Sequence, residues 1–456
     1  MYYKQQNPIM RWVHKLSPFK ILLIFYFLAV VVSTTLMSMP FIYKDGVDIA
    51  FIDILFTSVS ALSVTGLSTI TVAEVLSTAG IIVLALIMQL GAVGVMAIGT
   101  FIWLLLGKKI TLKERRLIMT DQNQTSFEGM VRLIKQIVIV LLTIELIGFL
   151  VLGTYFLQYY PTAGEAYLHG FFGTISATTN GGFDITGASL EPFSNDYFVQ
   201  FINILLIIFG AIGFPVLIEV KSFIFAQGEN RHKMRFSLFT KVTTMTFLIL
   251  LVVGAVFIYL LDMNGFFAGK SWHEAFFYAL FQSVTTRSGG LSTMDVSQLT
   301  EENHLFMSML MFIGASPSSA GGGIRTTTFA LVVIFIISYA RGGKTIRLFK
   351  REVYEDDLLK AVTVTLLSLI FVFISVLVMK MMEPFNLSEI LFEVTSAFGT
   401  VGLSLGITSE LSTFSKILLM ILMFIGRIGI VTLLFVFKTT KKSGNYHYPK
   451  EKMIIG

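Results

Sequence analysis

Long apolar stretches alternate with short polar ones along the 456 residues of this chain. Because a helix needs about 20 mostly apolar residues to cross the hydrocarbon core of a bilayer, each long stretch predicts a membrane-spanning helix. The eight stretches that reach this length are 20–42, 77–106, 132–158, 197–226, 236–261, 303–340, 358–382 and 414–438. Runs such as Ile81–Met88 do not alternate between polar and apolar residues, which argues against the strands of a membrane β-barrel.

Four shorter apolar segments lie between the members of successive pairs of spans. They are 50–62, 165–178, 272–286 and 386–398. Each is roughly a dozen residues long, which is too short to cross a bilayer and is typical of a re-entrant helix. A glycine-containing loop follows each segment, and irregular backbone at membrane depth is tolerated only where it is buried in protein or lines water. The sequence therefore predicts four loops around one pore.

Two glycine motifs recur in the same order in four parts of the chain, which indicates an internal repeat. The first motif reads Ser-Val-Thr-Gly66-Leu67, Thr-Asn-Gly-Gly182-Phe183, Arg-Ser-Gly-Gly290-Leu291 and Thr-Val-Gly402-Leu403. A Ser-Ala pair begins six residues before the last glycine in three repeats, whereas the third has Ser283-Val284 and one extra residue. The second motif follows inside the next span and reads Gly91-Ala-Val-Gly94, Gly210-Ala-Ile-Gly213, Gly314-Ala-Ser-Pro317 and Gly426-Arg-Ile-Gly429.

The predicted fold is an all-α membrane protein of four such repeats, each a first span, a re-entrant pore helix, a glycine loop and a second span. Eight transmembrane helices and four pore helices would surround one pore with pseudo-fourfold symmetry. The predicted divisions are an N-terminal tail 1–19, repeats at 20–109, 129–226, 236–342 and 358–439, and a C-terminal tail 440–456.

Charge is scarce and unevenly distributed. Only 14% of the residues are charged and 55% are hydrophobic, whereas a soluble domain carries roughly 25% charged residues. Most of the 34 Lys and Arg residues fall in the two tails and in 108–135, 221–241 and 341–360, and the alternate connections hold mostly acids. Because basic loops stay in the cytoplasm, we expect a multi-pass plasma-membrane protein with both termini inside. The net charge of +6 is thus a topology signal, and no nucleic-acid partner is expected.

Metal–thiolate sites, disulfides and enzymatic chemistry find no support in the sequence. Cysteine is absent and the six histidines have no paired metal-ligand spacing. The polar N-terminus leads into a full-length span, so we expect this span to be retained rather than cleaved as a signal peptide. No span carries a nucleophile with a base, so an intramembrane enzyme is not expected.

Glycine at the same position of four loops suits a ring of carbonyl oxygens that replaces the water around a cation. Aiming successive carbonyls at one axis requires conformations that cost a residue with a β-carbon about 1–2 kcal/mol, and glycine avoids this cost. One such loop is more often a simple turn, but four in register favour a selectivity filter. The predicted filter residues are Val64, Thr65, Gly66, Asn180, Gly181, Gly182, Ser288, Gly289, Gly290, Thr400, Val401 and Gly402.

At these four loops the sequence resembles the Trk/Ktr/HKT superfamily of potassium transporters. Members are single chains whose four repeats imitate a tetrameric potassium channel, and the resemblance covers residues from about 20 to 440. It implies that the last glycine of each loop is a filter glycine and that K⁺, held at the filter carbonyls, is the transported substrate. Plant relatives that favour sodium often carry Ser where this chain has Gly66. No bound organic cofactor is expected.

The absence of an additional pair of spans before the first repeat makes the chain similar to the Ktr-type membrane subunit. The resemblance implies a homodimer, with the tail 440–456 a candidate for dimer contacts, and a cytosolic nucleotide-binding ring of the RCK type. The chain has no dinucleotide-binding fingerprint of its own, so we expect nucleotide control only through that partner. Membrane lipid is the remaining expected partner.

The four repeats differ most at the second motif. In the first two, the helix is expected to continue through Gly-Ala-x-Gly. In the third, a proline and three successive glycines predict a broken helix and an irregular loop between about 314 and 325. The candidate gate residues in this loop are Gly314, Ala315, Ser316, Pro317, Ser318, Ser319, Ala320, Gly321, Gly322 and Gly323.

The fourth repeat places Arg427 in the middle of a span, where an arginine is costly and usually functional. Its charge would oppose a passing cation, or its guanidinium would hold the loop of the third repeat. The resemblance supports both elements as the gate. The alternative, an arginine that snorkels or pairs with an acid, is less favoured because its own span holds no acid.

Four other charged residues carry weaker predictions. Asp184, directly after the second filter motif, is a candidate for the outer vestibule. Arg287, at the third filter entrance, is expected to brace its loop, and Arg325 to cap the resumed helix. Glu145 is either a proton site or, more simply, a partner in an interhelical hydrogen bond.

One further function class remains open at this stage. A sodium-coupled secondary transporter also uses broken helices and internal repeats, although transporter repeats are commonly inverted. A non-conducting scaffold would not need four filter glycines. The sequence does not distinguish passive from sodium-stimulated transport.

Overall fold

The computed structural model describes residues 18–94, 130–226, 235–343 and 345–437, together with positions 449 and 451. The predicted tails lie almost entirely outside these residues, as does the part of the second predicted span beyond residue 94. The α-helices of the first two repeats are α1 (Pro18–Met37), α2 (Phe51–Ser63), α3 (Val72–Val75), α4 (Thr78–Val93), α5 (Met130–Phe156), α6 (Ala163–Thr179), α7 (Tyr197–Ala211) and α8 (Phe214–Ile224). Those of the last two are α9 (Leu238–Leu261), α10 (Trp272–Thr285), α11 (Glu301–Ile313), α12 (Thr326–Ala340), α13 (Glu355–Met382), α14 (Leu387–Gly399), α15 (Thr413–Ile428) and α16 (Ile430–Phe437).

Short regular elements connect these helices. Turns of 3₁₀ helix cover Pro40–Ile42, Glu191–Phe193, Val296–Gln298 and Thr408–Glu410. Two strands, β1 (Arg347–Leu348) and β2 (Arg351–Glu352), pair antiparallel in a hairpin between α12 and α13. This hairpin was not predicted.

Four helices in the described part of the chain are long and apolar enough to cross a membrane. They are Phe19–Met37, Val131–Phe156, Leu238–Leu261 and Glu355–Met382. Each begins one of the four predicted repeats, within three residues of the predicted boundary. Their outward faces are apolar and exposed, as at Leu146 and Phe373, which are 58% and 64% accessible. A helix with such a face is stable in lipid rather than in water.

The four shorter predicted helices also form, at α2, α6, α10 and α14. Their C-terminal halves are buried, and each packs against the second helix of the preceding repeat: α6 against α4, α10 against α7, α14 against α11, and α2 against α15. The packing therefore follows the order of the repeats and returns from the fourth to the first.

The prediction that the helix continues through the second motif of the first two repeats is wrong. Helix α4 ends at Val93, and α7 and α8 are separated at Gly213 by a bend of 106°. Gly94 and Gly213 have φ of 93° and 102°, in the left-handed half of the map that a residue with a β-carbon rarely adopts. Gly429, between α15 and α16, has φ of 86°. The last glycine of the motif thus ends a helix, and Gly213 also permits a close approach, since a β-carbon there would lie 2.8 Å from the Pro317 carbonyl oxygen.

Carboxylates tie the first helix of two repeats to the start of the second. Asp262, at the end of α9, accepts hydrogen bonds from the backbone N–H and hydroxyl of Thr300, the N-cap of α11. Glu383, at the end of α13, accepts the same pair of bonds from Ser412, the N-cap of α15. The N–H of an N-cap residue has no acceptor within its own helix, and these two acids accept it.

Candidate ion pathway

Three of the pore helices end in a residue with left-handed backbone, two positions before the predicted filter glycine. Val64, Asn180 and Thr400 have φ of 57°, 59° and 47°. In the third repeat the C-cap of the pore helix is Thr286, which has right-handed backbone, and the left-handed residue is Ser288, with φ of 70° and again two positions before the glycine. Such a conformation costs a non-glycine residue about 1–2 kcal/mol, so the buried surroundings must hold it.

The serine of the Ser-Ala pair holds the loop that follows. Ser60 Oγ accepts the N–H of Gly66, and Ser396 Oγ accepts the N–H of Gly402, each at 3.1 Å. Ser176 instead donates to the Phe183 carbonyl at 2.6 Å. The pair therefore recurs because a small hydroxyl at the end of the pore helix reaches the filter backbone.

In the third repeat a different hydroxyl fills this role. Thr285 donates to the Leu291 carbonyl at 2.5 Å. Ser283, the counterpart by sequence, donates to the Leu251 carbonyl of α9 at 2.7 Å. The extra residue in this loop accounts for the exchange.

The four predicted filter glycines form a closed ring in chain order. A β-carbon placed on Gly66 would lie 2.8 Å from Gly182 Cα, and one on Gly182 would lie 3.0 Å from Gly290 Cα. One on Gly290 would lie 3.5 Å from Gly402 Cα, and one on Gly402 would lie 3.0 Å from Gly66 Cα. Carbonyl oxygens of Thr65, Gly181 and Val401 lie between neighbouring glycines. All four glycines have positive φ, from 69° to 96°.

A polar side chain two residues after each filter glycine folds the outer part of the loop. Ser68, Ser292 and Ser404 accept the N–H of the residue two positions further on, as in Asx and Ser/Thr turns. Asp184 is their counterpart, and its Oδ2 accepts the N–H groups of Thr186, Gly187 and Ser189. This oxygen of Asp184 is therefore engaged in its own loop.

The first glycine of the second motif allows the second helix to approach the pore helix backbone. A β-carbon on Gly91, Gly210 or Gly426 would overlap the carbonyl of Leu62, Thr178 or Phe398, respectively. These three carbonyls all stand four residues before a filter glycine. In the third repeat Gly314 faces the carbonyl of Gly322 instead, within its own loop.

The break between α11 and α12 spans 314–325, as predicted, and this loop folds beneath the glycine ring. Its backbone pairs with the end of α7, since Ser316 and Ala320 donate to the carbonyls of Ala211 and Gly210, each at 3.0 Å. Phe214 of α8 in turn donates to Ser318 at 2.9 Å. The bend at Gly213 therefore makes room for the loop.

The tip of the loop contacts the starts of three filter segments. Ala320 packs with Val64 and Ala92. A β-carbon on Gly321 would lie 2.5 Å from Ser288 Oγ, and one on Gly322 would lie 2.5 Å from Thr400 Oγ1. Glycine at the tip thus lets the loop backbone approach the filter closely.

Two arginines hold the loop through backbone carbonyls. Arg427 donates to the carbonyls of Ala320, Gly91 and Ala92, so it links the loop to the end of α4. Arg325 donates to Gly321 and, at 3.3 Å, to Ser316. The side chains of both line a cavity of about 110 Å³ beside the loop, and none of the described residues that line it is a carboxylate.

Arg325 also differs from its prediction. It is the N-cap of α12, with φ of 79° and ψ of 142°, but its side chain does not cap the helix. Gly429, at the same place in the fourth repeat, has nearly the same angles, 86° and 142°. An arginine therefore occupies a glycine-like conformation, and its bonds to the loop offset the strain.

Residues 17–448 match the protein family described as TrkH, cation transport protein. The chain belongs to the TrkH family. The resemblance derived from the four loops is thereby confirmed. Among curated TrkH relatives, "Ktr system potassium uptake protein D" of Bacillus subtilis is 56% identical over 97% of this chain and 98% of its own length. "Ktr system potassium uptake protein B" of Vibrio alginolyticus is 31% identical over 96% and 94%, respectively.

A solved TrkH structure has the same fold. The potassium transporter TrkH from Vibrio parahaemolyticus superposes with a TM-score of 0.70 over 94% of this chain and 86% of its own, at 21% identity. "Potassium/sodium uptake protein NtpJ" of Enterococcus hirae is another relative, 29% identical over 97% of this chain and 98% of its own length.

Two further intramembrane charges lie outside the predicted filter residues. Glu145 accepts a hydrogen bond from Gln89 at 2.9 Å, which joins α5 to α4. Arg287 is fully buried, and one guanidinium nitrogen lies 3.5 Å from the Gly314 carbonyl. It therefore sits between the third filter segment and the start of the broken-helix loop.

Proposed function

We propose that this chain takes up potassium through a channel-like pore with a four-glycine filter and an intramembrane gate. The four repeats would surround the pore with pseudo-fourfold symmetry, in the plasma membrane and with both termini cytoplasmic. The ring of Gly66, Gly182, Gly290 and Gly402 is the observation that carries the proposal. Membership of the cation transport family and the names of the potassium-transporting relatives support it.

The filter would act through backbone carbonyls. K⁺ would exchange its hydration shell for the carbonyl oxygens of the residues before and at each glycine. The hydroxyls of Ser60 and Ser396 would keep these carbonyls in place, since they fix the N–H groups on the other side of the same peptide planes.

The gate would be the loop Gly314–Gly323 together with Arg427. The loop tip lies against Val64, Ser288 and Thr400, so it occupies the space directly below the filter. Arg427 adds a positive charge beside that space and fastens the loop to α4. A cation would pass only after these contacts are released.

Substitution of a filter glycine tests the proposal. In Gly290→Ser, the new β-carbon would lie 2.5 Å from the Val401 carbonyl oxygen and 2.6 Å from Gly182 Cα, so the ring must widen. We expect the K⁺/Na⁺ permeability ratio in proteoliposomes to fall about tenfold, as for a loss of about 1.4 kcal/mol of discrimination. Gly269→Ser is the matched control, because Gly269 has φ of 79° but nothing within 4 Å of its β-carbon position. Identical selectivity of the wild type and Gly290→Ser would refute the filter.

The chain would act as the membrane subunit of a Ktr-type system. The names of its relatives in Bacillus subtilis and Vibrio alginolyticus support a system of more than one component. We infer a homodimer that binds a cytosolic nucleotide-binding ring of the RCK type. Pull-down of a cytosolic ring protein by the purified dimer tests this, and a monomer that binds none would contradict it.

A sodium-coupled potassium transporter is the second candidate. The name of the Enterococcus hirae relative, which includes both ions, favours sodium involvement. Coupling predicts that K⁺ accumulates against its own gradient when a sodium gradient is imposed on proteoliposomes. Passive conduction predicts that it does not.

A further inference from the structure

One largely buried ion pair joins the first and last repeats. Lys416 Nζ lies 2.9 Å from Asp53 Oδ1, and the two side chains are only 10% and 19% exposed. Asp53 is in the first turn of the pore helix α2, and Lys416 is in the second helix of the fourth repeat, α15. The pair therefore spans the packing contact between α15 and α2.

Asp53 occupies a position that is acidic in all four pore helices. The third helical residue is Asp53, Glu165, Glu274 or Glu389. Glu274 and Glu389 fold back onto the N-cap backbone of their own helices, as capping boxes. The N-cap of α2 is Ala50, which offers no side-chain cap. The carboxylate of Asp53 instead reaches into the neighbouring repeat.

Lys416 is electrostatically misplaced without this partner. It is the fourth residue of α15, next to the positive end of the helix dipole, where a cation is unfavourable. Its counterparts in the other repeats are Ile81, Gln200 and His304, of which Gln200 and His304 contact backbone carbonyls within their own repeat. Among the described residues only the fourth repeat places an ammonium here.

The location of the pair distinguishes it from the other contacts between repeats. The chain itself connects the first repeat to the second, the second to the third and the third to the fourth, but it does not connect the fourth to the first. That joint depends on noncovalent contacts alone. It also carries the filter, because a β-carbon on Gly402 would overlap the Thr65 carbonyl oxygen across it.

We propose that the Asp53–Lys416 pair is a positioning pair that closes the ring of repeats and sets the filter geometry at the joint between Gly402 and Gly66. The inference rests on the proposed filter and adds two residues to the determinants of ion selectivity. Loss of one partner would leave a buried charge without its counter-ion. The pore helix α2 would then shift away from α15 to admit water.

Exchanging the two charges distinguishes a role in filter geometry from a role in general stability. Asp53→Asn and Lys416→Met should each lower the K⁺/Na⁺ permeability ratio in proteoliposomes by about fivefold. The exchanged pair, Asp53→Lys with Lys416→Asp, should recover more than half of that loss, because it restores an ion pair across the joint. The matched control is Glu389→Gln, at the same position of α14, where glutamine keeps the capping box and the ratio should not change.

The outcome for Gly290→Ser in the same assay separates the two proposals. If Gly290→Ser loses selectivity while Asp53→Asn and Lys416→Met keep it, the positioning pair is wrong and the filter stands. If Gly290→Ser also keeps selectivity, the filter itself is wrong. Equal losses in the single variants and the exchanged pair would also overturn the positioning pair. If the single variants do not fold, the exchanged pair decides. An exchanged pair that folds and keeps wild-type selectivity supports the positioning pair, and an exchanged pair that fails to fold or loses selectivity overturns it.

Discussion

The four loops that form the proposed filter are alike in structure, whereas the four second helices differ from one another. Every loop has a left-handed residue, a positive-φ glycine and a polar residue two positions later. The second helix of the first repeat ends at Val93 at its glycine motif, and those of the other three break near theirs. One of these breaks is a single residue at Gly429, and another is the twelve-residue loop 314–325. A ring that presents equivalent carbonyls to one ion requires four loops of similar structure. A gate below the ring requires only one segment that can move and one side chain that holds it.

Removal of the proposed gate is expected to have the largest effect of the variants considered. Deleting 316–322, or Arg427→Ala, should raise potassium flux in the absence of any cytosolic partner by about tenfold, as for a barrier lowered by about 1.4 kcal/mol. The deletion removes the backbone below the filter, and the substitution removes the bonds to Ala320, Gly91 and Ala92. Arg347→Ala, on a side chain 77% exposed in the hairpin, is the control. Unchanged or lower flux in well-folded variants would count against a gate.

Disrupting the close contact between a second helix and its pore helix should have the next largest effect, on stability. Gly426→Ala would place a β-carbon on the Phe398 carbonyl, and such overpacking costs about 1–3 kcal/mol. The melting temperature of the purified protein should therefore fall. Gly173→Ala, in α6 with nothing within 4 Å, should instead raise it slightly, because alanine is the better helix former. A Gly426→Ala protein as stable as the wild type would show that the contact is looser than its geometry indicates.

The serine hydroxyls offer a smaller and more selective test. Ser60→Ala leaves the N–H of Gly66 without its acceptor, whereas Ser283→Ala removes a bond to α9 outside the filter. Each loss should cost about 1 kcal/mol of stability. Only Ser60→Ala should lower the K⁺/Na⁺ permeability ratio. Equal effects of the two variants on the ratio would mean that the hydroxyls stabilise the repeat as a whole and not the filter.

The same difference between loops and second helices explains how much of the fold the sequence predicts. The pore helices and the break of the third repeat were predicted within a few residues, because helix length, proline and glycine runs act locally. The breaks at Gly94 and Gly213 were not, because a lone glycine in an apolar run is compatible with a continuous helix. The break at Gly213 depends on the neighbouring loop, since the end of α7 pairs with Ser316 and Ala320.

The side-chain contacts of the candidate site were less predictable still. The Ser-Ala pair recurs at the same spacing in three repeats of the chain, but only the fold shows that its hydroxyl reaches the backbone of the proposed filter. The ion pair of Asp53 and Lys416 joins residues 363 positions apart, and no local pattern connects them. The sequence signal that could have indicated the pair is the acid at the third position of all four pore helices. Asp53 is the exception among these acids, because its helix begins after Ala50, which offers no side-chain cap.

The smallest expected effect concerns an asymmetry outside the filter, where acids of the second and third repeats meet. Burial, with the carboxylates of Asp295 and Asp184 nearby, raises the pKa of Glu191 above its ordinary value. A carboxyl with a raised pKa destabilises the folded state when it is ionised, and this cost disappears as the pH falls and the group takes up its proton. Glu191→Gln should therefore raise the melting temperature by about 1–2 °C at pH 8, and the difference should vanish near pH 4. Asp295→Asn should act in the same direction by removing a neighbouring charge. A Glu191→Gln effect that is independent of pH would exclude this electrostatic origin and leave the outer acids as separate, solvated charges.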